Sequence, residues 1–408
     1  MKNYDLIVIG MGLSGLMAAK TAVEMGRRTL IVGRGMGSLC LFSNTIDLLG
    51  CLPESMDIND GLSRWIKDHP RHPYSTVGSA GIGEAIHSFI SMFPPPYSFQ
   101  SIGNENCLTP TGAGTVRPTY LVPSTMVAGT SFKKGKTLIV GFEAFKDFSA
   151  SWVSSRLNCR GITVSLPGNV CGDITASAIG RLMEKESLCE MVGQEVKKRL
   201  DGENLVGLPA VLWIKNPFKV KKDLERIIGA EIFEIPILPP SIPGMRIFNR
   251  FKVWLIERGT TFLLGPSVSK VSLKGRFCQE VQVANPPVLK SYSGDRCILA
   301  TGRFVGGGLI ANGEKLCEPV FNLPVTQPGS REDWFGKSFF DGVPHPIHQA
   351  GISVDSLFQP TDEKGRPVLE NLWVAGSILA HHHSIDEKSR EGIEIATGYM
   401  AAKRALEK

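Results

Sequence analysis

Tyr4-Asp5-Leu6-Ile7-Val8-Ile9-Gly10-Met11-Gly12-Leu13-Ser14-Gly15 decides the fold: an apolar run suited to one buried strand meets G-x-G-x-x-G and passes at once into an apolar helix. In that order the glycines have separate duties. Gly10 allows the tight turn out of the strand, Gly12 lets the backbone approach a pyrophosphate, and Gly15 lets the helix lie close to the sheet. The phosphate then rests on free N–H groups at the positive end of the helix dipole. A glycine-rich turn alone is weak, but Thr29-Leu30-Ile31-Val32 supplies the second strand after a helix of suitable length. The context predicts a βαβ nucleotide site.

An acidic residue normally ends that second strand and binds the adenosine ribose. Here the chain reads Gly33-Arg34-Gly35. Arg34 has three open readings: a 2′-phosphate as in an NADP site, an acidic partner, or solvent. With the ribose acid absent, flavin mononucleotide stands beside a full dinucleotide such as FAD.

At 408 residues the chain is too long for one compact core. Hydrophobic residues at 42% and charged residues at 21% describe an ordinary soluble protein, and the net charge of +6 comes from scattered basic residues. Nucleic-acid binding calls for a basic stripe with interleaved aromatics, and none is visible. No apolar run approaches membrane-spanning length, and the first strand begins too early for a signal peptide, so a cytoplasmic protein is expected. Nine widely separated cysteines lack a C-x-x-C pair, which argues for reduced thiols and against a zinc or iron–sulfur site.

Further along, Gly81 to Phe93 reads as an amphipathic helix stopped by Pro94-Pro95-Pro96, and residues 103 to 130 as loop and short strand. Thr137 to Val140 and Gly161 to Leu166 read as strands, Glu143 to Leu157 as a helix, and Asp173 to Arg199 as a longer helical stretch. Glu234 to Gly244 is proline punctuation, irregular throughout, returning the chain from one domain to another. A helix follows from Met245 to Arg258, and Arg296 to Thr301 is a buried strand ending at Gly302. Glu370 to Ser377 is a strand stopped at Gly376, and Gly392 to Leu406 is the final helix.

Together, the N-terminal glycine motif, Ile298-Leu299-Ala300-Thr301-Gly302 and the C-terminal strand, glycine and helix resemble the flavoprotein fold of the succinate dehydrogenase, fumarate reductase and glycerol-3-phosphate dehydrogenase flavin subunits. Gly33-Arg34-Gly35, Ser43 to Leu49, Arg117-Pro118-Thr119-Tyr120, Gly141-Phe142-Glu143, Asp147-Phe148 and Pro239-Pro240-Ser241-Ile242-Pro243-Gly244 are similar to the B-subunit family of anaerobic glycerol-3-phosphate dehydrogenase. The resemblance implies an α/β fold: a Rossmann-like, GR2-type flavin-binding domain from residues 1–60, 245–310 and 360–408, with an inserted α+β cap from 61–244 and 311–359. It implies FMN, with FAD as the alternative, framed by Gly10, Gly12, Gly15, Gly33, Arg34, Ser43, Thr301, Gly302, Gly376, Ser377 and Gly392. It also implies two partners, a larger flavin-bearing A subunit and a membrane-associated iron–sulfur C subunit, with attachment to the inner membrane face only through them. The reaction implied is oxidation of sn-glycerol 3-phosphate to dihydroxyacetone phosphate, electrons passing to the quinone pool. Many FAD enzymes hold the ribityl chain with an aspartate after the final strand glycine, where this chain has Ser377.

Oxidising a secondary alcohol requires a base for the hydroxyl proton, most often a histidine near neutral pH. His381, His382 and His383 follow the Gly376-Ser377 turn, although three consecutive side chains cannot all point inward and a polar loop cap is the alternative. A phosphate monoester calls for arginine, whose planar fork matches two oxygens, and Arg303 and Arg117 are the candidates. Gly306-Gly307-Gly308 offers backbone N–H groups or a mobile turn. His345 and His348 lie among prolines that oppose a helix, so they read as structural loop residues, and no metal is expected. Besides a catalytic role, an electron-relay or scaffold role and an NADP-dependent reductase using Arg34 remain as readings.

Overall fold

The computed structural model describes residues 3–166, 172–285, 288–338 and 343–407; Cys171 lies outside them. The main sheet starts with β1 (Asn3–Ile9), helix α1 (Leu13–Glu24) and β2 (Thr29–Gly33). A second sheet follows from β3 (Thr137–Phe142), β4 (Arg160–Val164), β5 (Leu205–Pro209) and β6 (Glu231–Ile235). Helix α2 (Ile242–Glu257) leads back to the main sheet through β7 (Thr261–Leu264), β8 (Ser267–Lys274), β9 (Phe277–Asn285) and β10 (Val288–Leu299). Strand β11 (Leu372–Val374) and helix α3 (Arg390–Glu407) close the chain.

The main sheet runs β7-β2-β1-β10-β9-β8, with β11 also paired to β10. Strand β1 has parallel neighbours on both edges, Ile7 facing Leu30 of β2 and Cys297 of β10. A strand covered on both faces reads as a continuous apolar run, which is why Leu6 to Ile9 carry no alternation. The first part of β10 pairs antiparallel with β9, and its end, Cys297 to Leu299, pairs parallel with β11. The Ala-Thr-Gly turn and the Gly376 turn therefore leave the sheet beside Gly10. Helices α1 and α3 cross so closely that a Cβ on Gly398 would lie 2.3 Å from the Ser14 carbonyl.

The insertion expected as α+β is centred on a parallel sheet, β6-β5-β3-β4, and antiparallel pairing there is confined to short ladders such as Cys107–Pro110 with Val116–Thr119. This sheet has its own core, including Ile139, Val206, Leu224 and Phe233. By contrast, Leu62, Tyr74, Ile82 and Phe89, in the range assigned to the cap, pack into the main core. The stretch 234–244 is irregular only in its middle. Glu234 and Ile235 finish β6, while Ser241 caps α2 by accepting from the Gly244 N–H, with Pro243 in the first turn, where no amide donor is required.

Candidate functional site

Gly12 caps α1 with φ −68° and ψ 179°, ordinary extended backbone, and a Cβ there would meet nothing within 4 Å. Its neighbours are fixed by the fold instead. Gly10 sits at φ +118°, where an added Cβ would lie 2.1 Å from the Ala300 carbonyl, and a Cβ on Gly15 would lie 2.1 Å from that of Gly10. The first-turn N–H groups of α1 have no intrahelical acceptor, so this open edge can receive an anion. A Cβ on Gly33 would fall 2.9 Å from the Met11 amide nitrogen, which leaves no room for an acidic side chain, and Arg34 is exposed.

The loop after β2 folds back over this turn, bringing Gly37 against Gly12. Asn44 holds it by donating from Nδ2 to the Leu39 carbonyl at 2.9 Å and to the Ser241 hydroxyl at 2.9 Å. The proline-rich motif thus anchors the loop, and Ser43 contacts Thr45, which leads to Asp47. Across the turn, Ser38 donates to Glu394 of α3, and Ser377 lies near the same carboxyl, opposing the rise in its pKa. Ser377 also lies next to Gly302. Gly392, expected at the cofactor, packs against the hydroxyl of buried Tyr74, which donates to the Leu48 carbonyl at 2.7 Å.

Sequence reasoning missed the buried acids. Burial pushes the Glu394 carboxyl up to about 7, with Arg390 opposing and Glu391 reinforcing the shift. Asp47 is likewise pushed up to about 7, first by burial and then by Glu391, while Arg117 opposes. Arg117 is not a free phosphate clamp, because its guanidinium is paired with Asp47. The Oε2 atom of Glu391 and the Thr301 hydroxyl are buried without hydrogen-bond partners.

Arg303 lies at the centre of a histidine cluster. Its Nη2 donates to the Leu379 carbonyl and to His382 Nε2, each at 2.9 Å, and its Nη1 donates to the His348 carbonyl. The terminal nitrogens of the expected phosphate clamp are therefore occupied by protein acceptors, while its Nε is buried without a partner. Guanidinium only donates, so His382 Nε2 is the acceptor and the ring proton belongs on Nδ1, which has no hydrogen-bond partner. Burial, with Arg303 and His72 nearby, holds the His382 pKa well below the usual histidine range.

The other two consecutive histidines diverge. His381, at φ +66°, reaches Ser353 at 3.0 Å. His383 Nε2 lies 2.9 Å from His348 Nδ1, and its Nδ1 lies 3.1 Å from Asp386. His348, expected as a structural loop residue, thus joins the cluster, and burial and neighbouring cations lower its pKa. His72 completes it, bonding Glu387 at 3.2 Å and meeting the His382 ring edge-on at 6.2 Å.

Among the described residues no group of three or more His, Cys, Asp or Glu side chains is placed to hold a metal ion, and no helix is long and apolar enough to cross a membrane.

A family model described as the FAD binding domain matches residues 5–392. A Halobacterium salinarum protein, named as the probable B subunit of anaerobic glycerol-3-phosphate dehydrogenase, is 30% identical over 99% of this chain and 98% of its own. The chain belongs to that B-subunit family. The B subunits of Aliivibrio fischeri and Vibrio cholerae are 28% and 26% identical, over 99% and 100% of this chain and 96% and 97% of their own lengths. A crystal structure of 3-ketosteroid delta1-dehydrogenase from Sterolibacterium denitrificans overlaps at a TM-score of 0.49 and 11% identity, covering 100% of both chains. This family member thus has a flavin-binding fold. Its open Gly12 edge and the orphaned Thr301 and Glu391 oxygens suit the phosphate and polyol parts of a flavin. The end of β2 carries no carboxylate side chain for an adenosine ribose.

Proposed function

We propose that this chain is a flavin subunit of an anaerobic glycerol-3-phosphate dehydrogenase, contributing to oxidation of sn-glycerol 3-phosphate to dihydroxyacetone phosphate with electrons delivered to quinone. The full-length likeness to proteins of that name carries the reading. Its partners would be the larger flavin subunit and the iron–sulfur subunit, through which it reaches the membrane. A flavin held here supplies the two-electron acceptor. FMN is preferred over FAD because Gly33 leaves no room for a ribose-binding acid. In this reading Gly12 and the first turn of α1 receive the phosphate, and Thr301, Gly302, Gly376 and Ser377 border the remainder of the cofactor.

Arg303 keeps His382 Nε2 engaged as an acceptor, so His382 can donate from Nδ1 but cannot take up a substrate proton at Nε2 while that bond holds. His383 Nδ1 accepts the Asp386 N–H at a helix cap, which leaves its Nε2 to donate to His348 Nδ1. A relay role, with substrate oxidised on the partner, is favoured by one observation: Arg303 and Arg117 are both already paired. Anaerobic stopped-flow mixing of the purified, flavin-loaded chain with glycerol 3-phosphate tests the choice. Bleaching of the flavin band without partners supports the catalytic reading; bleaching only with the partner supports the relay. Chromatography of the released cofactor decides FMN against FAD, and a colourless protein that binds NADP refutes both roles.

A further inference from the structure

We propose that Glu394 binds the ribityl hydroxyls of the flavin, supplying from α3 the carboxylate that neither the end of β2 nor the turn after β11 provides. The inference rests on the flavin reading above. A ribityl chain brings hydroxyl donors, and carboxylate oxygens are their strongest side-chain acceptors.

Glu394 belongs to both walls of the site. It accepts from Ser38 Oγ at 3.2 and 3.3 Å, on the loop that packs over Gly12. Ser377 lies close enough to oppose the rise in its pKa, and it follows Gly376, where a Cβ would lie 2.3 Å from Ser14 Oγ. The carboxyl is therefore fixed beside the phosphate turn by the two segments that frame it, and only 4% of the residue is exposed. Three residues earlier, on the same helix face, Glu391 is 3% exposed and its Oε2 has no hydrogen-bond partner. Buried acceptors lacking donors are costly, and a polyol satisfies them. Glu391 Oε1 is paired with Arg390, so Oε2 is the oxygen left open to a hydroxyl donor. The acids thus face the ribityl chain, and the phosphate stays on the amides of α1.

The test is fluorescence-quenching titration of the full chain, stripped of cofactor, with FMN, riboflavin and lumiflavin, the last lacking the ribityl chain. Glu394→Gln should weaken FMN and riboflavin by about tenfold or more and leave lumiflavin unchanged. Ser38→Ala should give the same pattern at several-fold, and decides the matter if the glutamine variant does not fold. Equal losses for all three flavins, or none for riboflavin, overturn the proposal while leaving flavin binding intact. A wild-type chain that binds none of the three overturns the flavin reading and this inference together.

Discussion

Replacing Gly12 and Gly15 with alanine should separate the two duties of the glycine turn. At Gly12 the added methyl group meets nothing within 4 Å, and φ −68°, ψ 179° suits any residue. The cofactor-free protein should be unchanged or gain roughly 0.4–1 kcal/mol from a less flexible unfolded chain. Bound phosphate, however, must come to where that methyl stands. Losing one charge-assisted hydrogen bond costs about 1.5–3 kcal/mol, or roughly 10- to 150-fold in flavin affinity. Gly15→Ala should act in the opposite way. Helix propensity favours alanine by about 1 kcal/mol, but the new Cβ would be 2.1 Å from the Gly10 carbonyl, and backbone has to move. Forced overpacking of this kind costs about 1–3 kcal/mol or more. Urea midpoints of the stripped proteins measure the fold, and quenching titrations with FMN measure the site. If Gly12→Ala destabilises the stripped protein as much as Gly15→Ala, or binds FMN normally, the assignment of Gly12 to the ligand is refuted.

Burial raises the Glu394 pKa from 4.5 to about 7, so in this range the native state holds a proton that the unfolded chain has released. Its contribution to stability is present below about pH 4.5 and lost as pH rises through about 7, at up to roughly 1.4 kcal/mol per pH unit. Glu394→Gln should remove that slope in urea unfolding at pH 5 and 7, and an identical slope in both proteins would contradict it. Arg246→Met should cost about 3–5 kcal/mol, because it strands the fully buried Glu234 that Arg246 grips, whereas Arg246→Met with Glu234→Leu should recover much of the loss. Arg303→Lys should lower the thermal midpoint with flavin content retained and the KM for glycerol 3-phosphate unchanged, since its terminal nitrogens serve the Leu379 and His348 carbonyls and His382. A raised KM at unchanged stability would restore it as the phosphate clamp.

The nucleotide turn was legible because its signal is local: strand, glycines and helix are contiguous, and Gly33 stands where an acid would be looked for. The second sheet was legible only in part. Thr137 to Val140 stood out, but Leu205–Pro209 and Glu231–Ile235 are short and end near proline, so their pairing is decided by the core they share with β3. The stretch 173–199 reads as one helix but breaks between Met183 and Glu186. Glu391 and Glu394 look like the solvent face of an amphipathic helix, the usual fate of glutamate, and nothing local shows that α1 and the loop after β2 cover them. His72 and Glu387 meet across more than 300 residues of chain, a juxtaposition that only the folded main core creates.

The anchoring of the loop at residues 37–45 sets an order of events during synthesis. Its grip comes from Ser241 and Gly244, and its far wall from Glu394, so the first 60 residues emerging from the ribosome carry the glycine turn without the segments that complete it. If this loop and Glu394 hold the flavin, cofactor capture should come late, after the insertion has folded and the last helix has been released. A chain ending before Arg390 should stay colourless through purification even in excess riboflavin or FMN, and a yellow truncation would show that the N-terminal turn captures flavin unaided.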